Sequence, residues 1–118
     1  MRGRAAAGFV LLVGLLLLGR VFLRAPVDVD VSFRLGRLAA GLHELDVRYQ
    51  RAEDGALARH VVFRYPAGDA PSEQLHHTRL ARGSYRVLLT LSAAAGSRTL
   101  ERSLAVGGAG EHAYVDVE

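Results

Sequence analysis

Five side chains in this sequence are suited to binding a transition metal, and all are histidines: His43, His60, His76, His77 and His112. A zinc or copper site needs imidazoles that converge on one point, often from alternate positions of a strand or across a hairpin. His76 and His77 are adjacent, so on a strand they point to opposite faces and cannot easily share one ion. The chain has no Cys, and its single methionine is Met1, so soft copper ligands are missing. We therefore predict surface histidines, no metal site and no cofactor.

Serine and acidic side chains could support hydrolysis if they were suitably arranged. Five serines are candidate nucleophiles: Ser72, Ser84, Ser92, Ser97 and Ser103. None stands in a Gly-x-Ser-x-Gly elbow between a strand and a helix. Asp28 and Asp30 share one face of a strand, and we interpret them as a solvated face or as partners of nearby arginines rather than as a glycosidase pair. The glycine-rich stretch 107–110 lacks the Lys-Ser/Thr of a phosphate-binding loop. The sequence predicts no catalytic residue, no enzyme and no small-molecule substrate.

The positive charge of the chain is concentrated near its N-terminus. The net charge is +3, from fifteen basic residues, all of them arginine, against twelve acidic ones. Four arginines (Arg2, Arg4, Arg20 and Arg24) precede Pro26, whereas every acidic residue follows it, so residues 26–118 carry a net charge of −1. A nucleic-acid-binding domain needs a basic stripe on the domain itself. The charge distribution therefore argues against a nucleic-acid partner.

Other binding chemistry could come from arginine and tyrosine side chains. Four arginines are predicted to face outwards, where they could meet an acidic partner or protect the edge of a sheet; they are Arg48, Arg64, Arg86 and Arg102. The chain has no Trp, and its tyrosines fall mainly on predicted core faces. These tyrosines are Tyr49, Tyr65, Tyr85 and Tyr114. A stacking platform for carbohydrate is not predicted.

The elements that position these side chains are strands, because the sequence after Pro26 alternates between apolar and polar residues. This alternation has the period of a half-buried strand. Seven segments show it or are bounded by turn residues: 27–35, 43–50, 57–65, 73–80, 85–92, the stretch around 100–106, and 113–117. No segment after Pro26 keeps a helical period. We predict an all-β fold, a seven-stranded antiparallel β-sandwich over residues 26–118, held together by burial alone because disulfides are impossible.

The hairpin between the second and third strands has a register that the apolar pattern can decide. A two-residue loop at Asp54-Gly55 would mix the faces of the second strand. A three-residue loop with Gly55 in the left-handed conformation pairs Val47 with Val61 and keeps the apolar residues on one face. The same register pairs Leu45 with Phe63 and His60 with Arg48. The sequence therefore predicts the three-residue loop.

Residues 80–87 read LARGSYRV, and this stretch resembles a known structural motif. It is similar to the tyrosine corner of immunoglobulin-like sandwiches, in which a Tyr at a strand start bonds through its hydroxyl to backbone upstream. A similar Leu-x-x-Gly-x-Tyr-x-Val pattern occurs in transthyretin-like modules related to carboxypeptidase regulatory domains. The Cys pair and strand Trp of antibody-type domains are missing. The resemblance implies this hydroxyl bond for Tyr85 and a non-catalytic module that binds or spaces other proteins.

Residues 5–23 form the longest apolar segment of the chain, AAAGFVLLVGLLLLGRVFL. As a helix this segment would reach about 28 Å, close to the hydrocarbon thickness of about 30 Å. Arg20 lies near one end, where a long side chain can snorkel to the headgroups. The sequence therefore predicts an N-terminal transmembrane helix within residues 1–25, with residues 5–23 in contact with the lipid bilayer.

A cleaved secretory signal is the alternative interpretation of the same segment, since it also has a basic start and an apolar centre. The peptidase needs small residues at the first and third positions before the cut. A cut after Gly19 would put Leu17 in the third position, and a cut after Ala25 would put Leu23 there. We therefore predict a signal-anchor that is not removed.

The arginines on either side of this segment nearly balance, so the positive-inside rule gives little direction. The very short N-terminal flank favours an N-terminus inside the cell and a C-terminal domain outside it. Arginine without lysine is typical of a GC-rich, bacterial genome. We predict a single-pass protein of the bacterial inner membrane whose domain faces the periplasm.

These predictions combine into a hypothesis about function. The chain is expected to be a membrane-anchored, extracytoplasmic protein-interaction or scaffolding module of an envelope assembly. A free sheet edge, either the first strand or the short last one, would contact a protein partner by strand addition. The alternative is a ligand- or metal-binding sensor domain, which requires at least two of His43, His60, His76 and His112 to converge.

Overall fold

The computed structural model describes residues 25–118, which form seven strands and one turn of 3-10 helix at Gly36–Ala39. The strands are β1 (Pro26–Arg34), β2 (Leu42–Arg51), β3 (Leu57–Arg64), β4 (Glu73–Ala81), β5 (Gly83–Ala93), β6 (Gly96–Val106) and β7 (Glu111–Asp116). The predicted all-β class and the seven strands are confirmed. The predicted transmembrane helix lies outside the described residues, and no helix within residues 25–118 is long and apolar enough to span a membrane.

The strands form two sheets, with the orders β4-β1-β7 and β3-β2-β5-β6. Strands β1 and β4 pair antiparallel, as do all neighbours in the second sheet, but β1 and β7 are parallel. The prediction of a purely antiparallel arrangement is therefore wrong at this pair. The connection from β6 to β7 crosses between the sheets, so β7 starts beside the early part of β1 and runs in the same direction.

One hydrophobic core joins the two sheets, built from the inward positions that the alternation predicts. In β1 the side chains of Val29, Val31 and Phe33 are buried, and Leu35 continues the row just after the strand. Facing residues of the other sheet complete the core, among them Leu45, Val47, Tyr49, Val87 and Leu89. Because the chain has no Cys, burial of these apolar side chains takes the place of disulfides in holding the sheets together.

The β2–β3 hairpin has the predicted register, with Leu45 opposite Phe63 and Val47 opposite Val61. Gly55 has a φ of +71°, so the left-handed conformation expected there is confirmed. The predicted loop length is wrong by one residue. The ladder closes with a hydrogen bond from Arg51 N to Ala56 O, which leaves residues 52–55 in the turn. A bulge at Ala58 absorbs the difference, because Gln50 pairs with Leu57 whereas Tyr49 pairs with Arg59.

The first residues of β2 do not point to the sides that the alternation predicts. His43 was expected on the same face as Leu45, but His43 is exposed and Leu42 is buried in its place. The pairing of β2 with β5 shifts between Leu42 and Glu44, which makes His43 the extra residue of a bulge. A bulge reverses the alternation locally, and the sequence pattern alone does not reveal it.

Candidate protein-interaction site

Four strands are terminal in their sheets and hence candidates for strand addition: β3, β4, β6 and β7. A terminal strand is hydrogen-bonded on one side only, and its other side can pair with another chain. The sequence hypothesis named the first or the last strand as the free edge. The first strand, β1, lies in the centre of its sheet, between β4 and β7. That part of the hypothesis is wrong, and the last strand, β7, needs closer inspection.

The edge of β7 is partly occupied by an arginine from β6. Arg102 Nε donates to the carbonyl oxygen of Asp116 at 2.8 Å, and Nη2 donates to that of Val117 at 3.2 Å. Arg102 was predicted to face outwards, but it reaches across to the other sheet. These bonds fill acceptors at the C-terminal end of β7, so an incoming strand would have to displace a charged donor.

Strands β3 and β4 face each other across the opposite side of the domain and are tied by side chains. Tyr65, just after β3, donates through its hydroxyl to Gln74 Oε1 at 2.7 Å. Arg59 Nη2 donates to the carbonyl oxygen of Arg79 at 3.4 Å. The bulge at Ala58 also interrupts the regular edge of β3. Bulges and charged side chains are the features by which natural sheets block edge pairing.

The first half of β6 has no bulge and no side-chain bond to the other sheet, and Arg98 is its one charged residue. Its eleven residues pair with β5 in continuous register without a bulge. Residues 96–99 are exposed, and Leu100 is partly buried against the core. Arg102 Nη1 donates to the carbonyl oxygen of Glu101 at 2.8 Å, which marks where the open part stops. We call residues 96–100 the β6 edge; at about 3.4 Å per residue it is about 17 Å long.

Small hydroxyl side chains stiffen the hairpin that carries the β6 edge. Ser92 and Ser97 lie opposite each other with their Oγ atoms 3.3 Å apart, and Thr90 and Thr99 face each other with their Oγ1 atoms also 3.3 Å apart. Arg98 is the one charged residue within the β6 edge. A regular ladder with small side chains lets another backbone approach to the 4.8 Å or so that strand pairing requires. This edge can therefore accept an extended peptide.

The histidines are distributed over separate settings. His60 Nε2 lies 2.9 Å from Asp46 Oδ1, opposite Arg48 as predicted. His77 bonds through Nδ1 to Asp30 on the outer face of the three-stranded sheet. His76 points to the other face, as predicted, and joins the two sheets. Within residues 25–118, no three His or acidic side chains are grouped so that they could hold a metal ion.

His76 lies at the boundary of the two sheets among aromatic rings. Its Nδ1 is 2.8 Å from the hydroxyl of Tyr49, its ring stacks on that of Tyr49, and the ring of Phe63 meets it edge-on. Burial lowers the pKa of His76, and the charges of Arg59 and His77 lower it further. Burial also raises the pKa of Tyr49. The neutral imidazole and the neutral phenol are therefore the favoured forms, and the pair is a structural link between sheets.

The sequence reasoning missed one serine–histidine pair. Ser32 Oγ lies 2.7 Å from His112 Nε2, and these residues are 80 positions apart in the chain. Ser32 is 2% exposed, so its hydroxyl is closed to a substrate. The carboxylate of Asp30, next on this face, is engaged by His77. The pair therefore links β1 to β7 and does not form a nucleophile. No local motif could have revealed it, because only the sheet order brings these strands together.

The remaining polar candidates occupy the outer faces. Asp28 pairs with Arg79 at 3.5 Å, as one of the two interpretations of this residue expected. Three of the four outward arginines form exposed ion pairs with a carboxylate: Arg48 with Asp46, Arg64 with Glu44, and Arg86 with Glu101. Exposed pairs of this kind contribute about 0–1 kcal/mol each. These pairs therefore add little to the stability of the domain.

The hydrogen bond that the sequence resemblance implies for Tyr85 is present in the structure. Tyr85 is buried, and its hydroxyl donates to the carbonyl oxygen of Ala81 just upstream. The other tyrosines differ from one another in burial. Tyr49 is buried and Tyr65 is half-buried, but Tyr114 is 53% exposed on the outer face of β7, with the guanidinium of Arg34 4.2 Å from its ring centre.

Comparison of the chain with protein families, with curated proteins and with solved structures gives no match in any of the three. The functional argument therefore rests on the geometry of the domain itself.

Proposed function

We propose that this protein is a membrane-anchored, extracytoplasmic interaction module that binds a protein partner by strand addition at the β6 edge. The observation that carries the proposal is the regular ladder of residues 96–100, which has no bulge and lies at the edge of the four-stranded sheet. An extended segment of the partner would continue this sheet, with main-chain hydrogen bonds as the source of affinity.

The distribution of edge protection supports the choice of this edge. Arg102 occupies acceptors at the C-terminal end of β7, and side-chain bonds tie β3 to β4. Residues 96–100 lie beyond the segment of β6 that runs beside β7, since Arg102 already contacts the last residue of that strand and the one after it. A sequence that protects three edges and leaves the fourth regular is consistent with selection for pairing there.

The membrane anchor is the second part of the proposal. It rests on the apolar run of residues 5–23 and on the poor cleavage sites that follow it. In the proposed orientation the domain lies outside the cytoplasm, most simply in the periplasm of a bacterium. The anchor would keep the domain at the membrane surface, where partners of an envelope assembly would meet it.

The strand order bears on which sandwich family the domain resembles. In the constant-type immunoglobulin sandwich the first strand pairs with the second, and the third lies in the other sheet. In this domain β2 pairs with β3 and β5, and β1 lies in the other sheet between β4 and β7. The strand order therefore departs from the constant-type immunoglobulin arrangement, and the hydrogen bond of Tyr85 is the feature that supports the resemblance to a sandwich with a tyrosine corner.

Photocrosslinking in intact cells tests the proposal. A photoreactive amino acid at Arg98, on the β6 edge, should give a covalent adduct with a partner protein. The same probe at Arg48, on the outward face of the central strand β2, should give little or none. Recovery of the monomer alone from the Arg98 probe would contradict strand addition at this edge.

A pair of lysine substitutions separates edge pairing from a general effect of charge. Thr99→Lys places a charge on the β6 edge and should abolish the adduct. Ser103→Lys adds the same charge to the same strand, on the part beside β7, and should leave the adduct unchanged. Both residues are exposed, so neither change disturbs the core. A topology reporter fused after Glu118 should be active in the periplasm; activity in the cytoplasm would refute the proposed compartment.

A further inference from the structure

The end of the domain that carries Pro26 combines arginine side chains with an exposed leucine. A cavity of about 320 Å³ opens there between the start of β1, the start of β3 and the end of β4. The residues of its wall that matter to the argument are Pro26, Arg51, Leu57, Arg59 and Arg79. We call this surface the Pro26 end. The β6 edge lies at the other end of the domain, because β6 runs from the opposite end of its sheet towards this one.

The guanidinium groups at the Pro26 end are only partly neutralised. Arg51 Nε lies 3.6 Å from Asp54 Oδ1, and Arg79 Nε lies 3.5 Å from Asp28 Oδ1. Within residues 25–118, Arg59 forms no ion pair and donates only to a backbone carbonyl. Arginine binds phosphate groups through several parallel N–H donors. The cavity therefore favours an anionic, phosphate-bearing ligand.

Leu57 is the exposed apolar residue of the Pro26 end. It is 57% exposed, the highest exposure among the large hydrophobic residues of the described part of the chain. It lies in the wall of the same cavity as the three arginines. An apolar side chain surrounded by arginines matches the boundary of an anionic bilayer, where phosphates lie above acyl chains.

The proposed anchor would bring this end of the domain to the membrane. Leu23, the last residue of the apolar run, and Pro26 are three residues apart. Three residues span at most about 11 Å. With residues 5–23 in the bilayer, the Pro26 end cannot be much farther than this from the headgroups, whereas the opposite end projects away by the length of the strands.

We infer that the Pro26 end is a lipid-binding surface: Arg51, Arg59 and Arg79 bind the phosphates of anionic lipids while Leu57 enters the interface. The domain is thereby held upright on the bilayer, with the β6 edge directed away from it. This inference rests on the proposed membrane anchor but not on the proposed partner. An adjacent cavity of about 280 Å³, whose wall includes both Arg82 and Glu53, continues this end of the domain.

A depth measurement on the full chain tests the inference. The chain has no Cys, so Leu57→Cys provides one labelling site for an environment-sensitive dye. Ala95→Cys, in the exposed turn at the opposite end, is the matched control. Both variants are reconstituted into nanodiscs of phosphatidylcholine alone or with about one third phosphatidylglycerol, with a spin-labelled lipid as quencher. We expect strong quenching at Leu57 in the anionic nanodiscs, less in the neutral ones, and none at Ala95 in either.

Charge variants test the role of the arginines. Arg59→Gln should lower the ratio of docked to undocked domain roughly five-fold, the effect of one arginine near an anionic surface. Arg98→Gln removes the same charge at the opposite end and should change nothing. Raising the salt concentration should release the dye at Leu57 from the quencher, because screening weakens the phosphate contacts.

The outcomes that overturn the inference are distinct from those that overturn the anchor. If carbonate extraction releases the full chain from membranes, the anchor is refuted and the lipid-bound end with it. If the chain resists extraction but the dye at Leu57 is as accessible to aqueous iodide as the dye at Ala95, the lipid-binding surface alone is refuted. Equal losses in Arg59→Gln and Arg98→Gln would refute the assigned role of arginine.

Discussion

Replacement of Tyr85 by Phe tests the hydrogen bond that links Tyr85, near the start of β5, to Ala81. The ring stays, so packing of this buried side chain is preserved, and the change removes only the hydroxyl that donates to the carbonyl oxygen of Ala81. A hydrogen bond of this kind contributes about 1 kcal/mol net. Ala81 is half-buried, so water can partly replace the lost donor, and the full penalty of an unsatisfied buried carbonyl does not apply.

We therefore expect Tyr85→Phe to lower the free energy of unfolding by about 1 kcal/mol. In a domain of this size such a loss lowers Tm by roughly 4–8 °C. Urea unfolding of residues 25–118, followed by far-ultraviolet circular dichroism, measures it. Tyr114→Phe is the matched control, because Tyr114 is 53% exposed; we expect a change within about 0.5 kcal/mol.

Alkaline pH gives a second, independent signature of the same bond. Burial raises the pKa of Tyr85, although the nearby Arg51 opposes this. The ordinary pKa of a tyrosine is 10.0, and the pKa of Tyr85 in the folded domain is higher. Between these two pKa values the unfolded chain has lost the proton of Tyr85, whereas the folded chain still holds it. Stability is therefore full below this range and decreases as pH rises through it. Burial also raises the pKa of Tyr65 to about 12, so Tyr85→Phe should reduce the alkaline loss without abolishing it.

The reasoning is refuted if Tyr85→Phe and Tyr114→Phe change stability equally. It is also refuted if Tyr85→Phe leaves the alkaline part of the stability curve unchanged, since a ring that acts only by packing does not titrate. A loss well above 3 kcal/mol would indicate that the hydroxyl supports more than one hydrogen bond.

Three further changes test the core, the contact between the sheets and the hairpin turn. Phe33→Ala, in the centre of the core, should cost about 3–5 kcal/mol in urea unfolding, whereas Leu57→Ala on the surface should change stability by no more than about 0.5 kcal/mol. Burial lowers the pKa of His76 below its ordinary value of 6.5. As the pH falls, the unfolded chain therefore takes up the proton before the folded chain does. The contribution of His76 to stability is full above pH 6.5 and decreases below it. His76→Gln should flatten that acidic part of the Tm curve, and an unchanged slope would contradict the assignment. Gly55→Ala should lower the free energy of unfolding by about 1 kcal/mol, because Gly55 has a φ of +71°. Gly108→Ala is the control and should be nearly neutral, since the φ of Gly108 is not positive and no atom lies within 4 Å of an added Cβ. Equal costs would show that the left-handed turn is not the reason.

The inward-facing side chains of most strands follow from the order of residues in the sequence. In a strand successive side chains point to opposite faces, so the row from Val27 to Leu35 could be assigned from the order of apolar and polar residues. The same rule gave the register of the β2–β3 hairpin, because a slip of one residue would have exposed Val47 or Leu45. It failed at His43, where a bulge adds one residue and reverses the alternation without leaving a sign in the sequence.

Which strands are neighbours in each sheet depends on the tertiary packing. Alternation is a local property, whereas sheet order depends on how the two apolar faces pack together and on which connections cross between them. This is why β1 lies in the centre of its sheet although it was expected to offer an edge, and why β7 runs parallel to it. The same order brings Ser32 to His112, sends Arg102 across to β7, and leaves the β6 edge open. The candidate interaction site is therefore a product of tertiary packing, whereas the strands that form it could be read from the sequence.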